Sequence, residues 1–281
     1  MITLHTKSEV SELVRRWHRE GLKVGFVPTM GALHEGHLSL IRLAARESDR
    51  VVVSIFVNPT QFGPHEDFAQ YPRDTDADLA KCRRAGAAMV FLPSVEEIYP
   101  PDATVFVDEN RLAQGLCGAS RPGHFRGVLT VVAKLLHIVA PDVAVFGRKD
   151  AQQLALIRRM VRDLDWPVTI LPGPTVREPD GLALSSRNRY LSPSERQDAL
   201  SLYQTLQLAG QAYQAGERDA SRLRQILTRH LEQVPGIRLD YVAIVDSATL
   251  EPVATLQNGT LIALAARVGQ TRLIDNLLLE S

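Results

Sequence analysis

Two cysteines, Cys82 and Cys117, are all that the 281 residues contain. That is too few for a disulfide-stapled scaffold, and they lack the paired spacing of a zinc site. Net charge is also missing, because 32 basic side chains are matched by 32 acidic ones. A chain without positive excess lacks the counterion-release term that drives nucleic-acid binding, which counts against a DNA- or RNA-binding role. Long hydrophobic runs are absent too. The longest apolar stretch, residues 128–140, is interrupted by Lys134 and His137 and falls short of the roughly 20 residues that span a bilayer. The opening residues MITLHTKSEV turn polar at once and show no apolar signal-peptide core. These absences predict a soluble, cytoplasmic chain with neither a nucleic-acid nor a membrane partner.

What is present is a regular alternation. Residues 23–29 (KVGFVPT) form a short apolar run rich in β-branched side chains, a Gly-punctuated loop follows, and residues 38–47 carry apolar side chains at helical spacing. RVVVSIFV from Arg50 reads as a second strand, apolar on both faces. The pattern continues with a helix at 74–85, a strand from Ala87, a helix at 127–139, a strand from Asp142 and a helix at 152–164. After Pro167 the stretch VTILPGPTVREPDGLALSSRN concentrates Pro, Gly and Ser without periodicity and reads as a linker or active-site loop. Beyond Ser192 come two helical patterns broken at Gly216, then alternating strands at RLDYVAIVD and TLIALAARV. The predicted fold class is α/β. A Rossmann-like parallel sheet domain with helices on both faces occupies residues 1–175, and a smaller C-terminal α+β domain occupies residues 176–281.

The segment PTMGALHEGH, residues 28–37, lies between a predicted strand and a predicted helix. A helix N-terminus presents unpaired N–H groups and partial positive charge, so an anion is favoured there. Gly31 and Gly36 let a phosphate approach the backbone, and His34 and His37 can turn both rings toward it from the first helical turn. An isolated histidine pair is more often a cap and a surface residue; the glycines and the strand-to-helix setting reverse that weighting. Lys149 follows the strand from Asp142, where an ammonium serves phosphate as a mobile point charge. LSSRN from Leu184 offers two hydroxyls and a guanidinium, which suit a loop that grips phosphates. Arg126 reads equally as an anion contact or as a structural ion pair. Asp74, Asp76 and Asp78 alternate along one predicted helix, the pattern of a solvated face, and no metal ligand is assigned.

Taken in order, PTMGALHEGH, NPTQFGP from Asn58, GHFRGVLTVVAKLL from Gly123, GRKDAQQL from Gly147 and LSSRN from Leu184 resemble the motifs of the pantothenate synthetase family. The H-x-G-H element is similar to the signature of the wider nucleotidyltransferase superfamily. The resemblance implies an ATP-dependent, AMP-forming carboxylate–amine ligase. Such an enzyme joins (R)-pantoate to β-alanine through a pantoyl-adenylate, releasing pyrophosphate and then AMP. ATP is the implied co-substrate, Mg2+ its companion, and a homodimer the implied assembly. The alternative within the superfamily is an adenylyltransferase acting on a phosphate acceptor, which calls for a pocket of basic residues.

Carried over position by position, the resemblance implies that Met30, Gly31, Ala32, Leu33, His34, Glu35, Gly36 and His37 bind ATP. His37 then stabilises charge or donates a proton at the reacting phosphorus, and His34 supports it. Gly147, Arg148, Lys149 and Asp150 are implied in the same nucleotide site, with Lys149 on the departing phosphates and Asp150 orienting it or meeting the ribose. Val176, Leu184, Ser185, Ser186 and Arg187 complete the set, Arg187 being the fourth catalytic candidate. Gln61 and Gln153 are expected to bind pantoate, Gln61 also β-alanine. Neutral amides hold a carboxylate without an ion pair that would blunt its nucleophilicity. The smaller domain is expected to close over the active site.

Overall fold

Strands that are buried on both faces read as continuous apolar runs, and the runs of the N-terminal half do assemble into a parallel sheet. In the computed structural model, which describes residues 1–64 and 66–280, chain order begins β1 (Ile2–Leu4), α1 (Lys7–Arg19), β2 (Val24–Thr29), α2 (Glu35–Glu47) and β3 (Arg50–Ile55). It continues with α3 (Thr75–Ala85), β4 (Met89–Phe91), α4 (Val95–Ile98), α5 (Cys117–Ser120), α6 (His124–Val139), β5 (Val143–Gly147), α7 (Ala151–Asp163) and β6 (Thr169–Gly173). The order across the sheet is β1-β4-β3-β2-β5-β6, with every neighbouring pair parallel. From β2 the chain moves outward through β3 on one side, and later through β5 and β6 on the other. The topological switch therefore lies between β2 and β5, and ligands of open α/β sheets bind beyond the carboxyl ends of such strands.

One expectation is corrected here. The stretch after Pro167 is not all linker, because Thr169–Gly173 is the sixth strand and pairs with β5 from Val143↔Thr169 to Gly147↔Gly173. Pro172 hides it from pattern reading, yet as the terminal strand β6 has a free edge on which a missing N–H is tolerated. The N-terminal residues also form an element pair, with Thr6 capping α1 through a reciprocal bond with Glu9.

The chain divides into two compact units. The first comprises Met1–Asn110, Arg121–Arg148 and Leu156–Pro174. Its core joins Val27, Ile41, Val53, Cys82, Val90 and Val145 between sheet and helices. The second unit takes Arg111–Ser120, Lys149–Ala155 and the chain from Thr175. There Ser192, with Glu195 and Pro193, starts α8 (Pro193–Gln214), which is followed by α9 (Ala220–Glu232) and the strands β7 (Ile237–Asp246), β8 (Thr260–Val268) and β9 (Thr271–Leu278). The strands form an antiparallel sheet in the order β7-β8-β9. Leu202, Leu223, Leu227, Ile262 and Leu264 are wholly buried between its helices and the central strand. Among the described residues no helix is long and apolar enough to cross a membrane.

Candidate active site

The loop from β2 to α2 is a tight, fully bonded turn. Thr29 Oγ1 donates to Ser54 O (2.8 Å) and accepts from Gly31 N (3.2 Å). Gly31 and Ala32 both take left-handed conformations, with φ of 80° and 50°. The next two amides, Ala32 N and Leu33 N, donate to the two carboxylate oxygens of Asp78 at 2.7 and 2.8 Å. Lys81, one turn along α3, closes the arrangement by donating to Leu33 O at 2.8 Å while standing 3.6 Å from Asp78. Asp78 is thus not part of a solvated face. It is 1% exposed, because α3 turns that side of its first turn toward the loop. Asp74 is the N-cap of α3 and accepts from Ala77 N. The amides of residues 31–33 therefore already donate within the protein.

His34 caps α2 in an extended conformation, and His34 N donates to His37 Nδ1 at 3.3 Å. The two rings stand with centroids 4.2 Å apart, as the i, i+3 spacing anticipates. Because His37 Nδ1 accepts, the neutral ring carries its proton on Nε2. Glu35, in the same turn, pairs with Arg42, whose hydrogen bond lowers the Glu35 pKa from its ordinary value.

Gln61 ends a short turn, Pro59–Gln61, that follows β3 and is organised by Asn58. Asn58 is 1% exposed, and its side chain ties this loop to Gly127 and Tyr99. Its Nδ2 donates to Gln61 Oε1 (3.1 Å) and to Gly127 O (3.2 Å), and its Oδ1 accepts from Thr60 Oγ1 and from Tyr99 OH. Gln61 O accepts from His124 Nδ1 (2.8 Å) and from Arg121 Nη2 (3.3 Å). Arg121 also forms a two-pronged ion pair with Glu66 (2.6 and 2.5 Å). Burial opposes ionisation of Glu66, but the Arg121 hydrogen bonds and charge outweigh it and hold the carboxyl at about 2.

In the second unit, Lys149 and Asp150 form a single turn before α7, and Asn276 Nδ2 of β9 donates to Lys149 O at 2.8 Å. Gln153 is half-buried on the first turn of α7. Its neighbour Gln152 is buried and ties that turn to the 112–117 segment, accepting from Cys117 N and donating to Leu112 O and Gly115 O. Val176 and Leu184 face each other across a small hairpin, with Leu184 N donating to Val176 O at 3.0 Å. The hairpin is pinned by Arg177, which forks onto Asp275 (2.6 and 2.9 Å), donates to Gly181 O and lies over the Tyr203 ring. Ser185 caps the turn Ser186–Tyr190 by accepting from Arg187 N.

A family model described as pantoate-beta-alanine ligase matches residues 2–278. The chain belongs to the pantoate-β-alanine ligase family. A pantothenate synthetase of Heliobacterium modesticaldum is 58% identical over 272 residues, covering 97% of each chain. Among solved structures, pantothenate synthetase from Thermus thermophilus superposes with a TM-score of 0.95 at 46% identity, covering all of both chains. The pantoate-β-alanine ligase of Francisella tularensis, complexed with β,γ ATP and β-alanine, matches with a TM-score of 0.82 at 36% identity over 99% of this chain and 97% of that one.

Within this pantoate-β-alanine ligase fold, the sequence-predicted residues fall in two sets. Met30 to His37, Gln61, Gly147 and Arg148 belong to the first unit; Lys149, Asp150, Gln153, Val176, Leu184, Ser185, Ser186 and Arg187 belong to the second. The Arg126 guanidinium lies 4.1 Å from the centroid of the Phe106 ring. Pattern reading takes Asp78 for part of a solvated face and passes over His124, Gln152, Asp275 and Asn276. Each is a single polar residue whose partners lie far along the chain, so no local spacing announces it. Among the described residues no group of three or more His, Cys, Asp or Glu is placed to hold a metal.

Proposed function

We propose that this chain makes pantothenate from (R)-pantoate, β-alanine and ATP in two half-reactions. A pantoate carboxylate oxygen attacks the α-phosphorus of ATP and pyrophosphate leaves, producing the mixed anhydride. The β-alanine nitrogen then attacks the activated carbonyl, loses a proton and expels AMP. The observation that carries this reading is family membership along nearly the whole chain together with the paired His34 and His37 rings at the helix start beside the sheet's switch point.

His37 Nε2–H is assigned to the charge that develops on the α-phosphate, with His34 against its ring. Electrostatic stabilisation of this kind, with positioning of the reactants, accounts for most phosphoryl-transfer catalysis. Lys149 and Arg187 are assigned to the departing pyrophosphate. Ser185 and Ser186 are assigned to the nucleotide phosphates, alongside Gly147, Arg148 and Asp150, while Val176 and Leu184 provide apolar contact to the nucleotide. Gln61 and Gln153 are assigned to pantoate, and Gln61 also to β-alanine. The Asn58, Arg121 and His124 bonds that fix the Gln61 segment support that assignment. Mg2+ is expected to enter with the ATP co-substrate, since magnesium at nucleotide sites commonly keeps phosphate and water ligands; among the described residues no group of three or more His, Cys, Asp or Glu is placed to hold it. The resemblance further implies a cytoplasmic homodimer.

The reading is tested by following pantothenate and AMP with purified protein. Both should appear in equal amounts only when pantoate, β-alanine, ATP and Mg2+ are all supplied. Gln61→Ala is expected to raise the KM for pantoate by about tenfold or more, the cost of one lost hydrogen bond to a charged group. No product with the complete substrate set, or an unchanged pantoate KM in Gln61→Ala, contradicts the corresponding part of the proposal.

A further inference from the structure

We propose that Asp78, assisted by Lys81, is a positioning residue for the nucleotide half-reaction. Its buried carboxylate locks residues 31–33 in the left-handed turn that presents His34 and His37. This inference rests on the functional reading above and extends it to a side chain that touches no substrate.

Three observations converge on it. First, Ala32 carries a Cβ yet stands at φ 50°, a conformation that costs an L-residue on the order of 1 kcal/mol and persists only where surroundings impose it. Second, what imposes it is identifiable: both oxygens of Asp78 accept backbone amides of this turn, and Lys81 holds the Leu33 carbonyl from the same helix. A carboxylate at 1% exposure is costly unless so bonded. Third, the fit is mutual, since a Cβ at Gly31 would come within 3.0 Å of Asp78 Oδ2. Loop and carboxylate together set the direction in which the chain enters α2, whose first turn carries both histidines.

The test compares Asp78→Asn, which keeps the volume but loses one acceptor and the countercharge to Lys81, with Lys81→Met, which keeps the stem and loses the donor. Amide hydrogen exchange on the protein alone should accelerate about tenfold at residues 31–33 in Asp78→Asn, with protection elsewhere in the sheet unchanged. Calorimetric affinity for a non-hydrolysable ATP analogue should fall about tenfold in Asp78→Asn and about threefold in Lys81→Met. The KM for ATP should rise in parallel while the KM for β-alanine stays put, a split that a merely structural role would not produce. A folded Asp78→Asn protein with wild-type protection at residues 31–33 and wild-type analogue affinity overturns the proposal. If that variant does not fold, Lys81→Met decides by the same two readouts. Because exchange is read without substrate, an inactive wild-type protein sinks the functional reading and leaves this test intact.

Discussion

Gly127 holds its place through the side chain it lacks. A Cβ there would collide with Thr60 O and come within 2.7 Å of Gln61 N, while the Gly127 carbonyl receives Asn58 Nδ2. Gly127→Ala is therefore expected to push the Gln61 segment off α6, because overpacking of about 1–3 kcal/mol is relieved most easily by the loop. Steady-state kinetics should show the pantoate KM rising by about tenfold, with the KM for ATP nearly unchanged; equal values for pantoate in wild type and variant would remove this contact from the account. At this scale the sequence is legible only where function sits in a compact motif. His34 and His37 announce themselves by spacing, and their rings do meet. Asp78 reaches back 46 residues to its amide partner and His124 reaches 63 residues to Gln61, so nothing in their neighbourhoods distinguishes them from surface polar groups.

Whole elements are easier to read, because periodicity sums over many residues. The apolar runs at β2, β3 and β5 and the helices between them follow from their patterns, whereas β6 is masked by Pro172 and β9 by its polar Asp275 and Asn276. That last strand carries two neighbouring anchors. Asp275, 3% exposed, holds Arg177 and with it the 176–184 hairpin, and Asn276 holds the Lys149 carbonyl. Breaking a buried pair leaves an uncompensated charge, typically at several kcal/mol. Asp275→Ala should lower unfolding stability by about 3 kcal/mol, near the low end because Arg177 is 22% exposed. Replacing both partners (Arg177→Met with Asp275→Leu) should recover part of that loss in chemical denaturation. A single variant within about 0.5 kcal/mol of wild type, the range of an ordinary surface substitution, would show that the pair does not hold the hairpin.

For the molecule as a whole, a neutral chain with two cysteines and an alternating strand–helix pattern points to a small-molecule α/β enzyme, and the six-stranded parallel sheet with its smaller antiparallel partner unit agrees. The class of fold is legible because it depends on the sum of these patterns; the membership of Arg111–Ser120 and Lys149–Ala155 in the second unit is not, since it rests on pairings such as Cys117 with Tyr241 that span the chain. The chemistry proposed for this chain begins with the adenylation of pantoate. Exchange of labelled pyrophosphate into ATP, with Mg2+ present and β-alanine withheld, tests that adenylation most directly. The account requires exchange that appears when pantoate is added and vanishes when it is omitted. Exchange independent of pantoate, or none from a preparation that binds ATP, would contradict it.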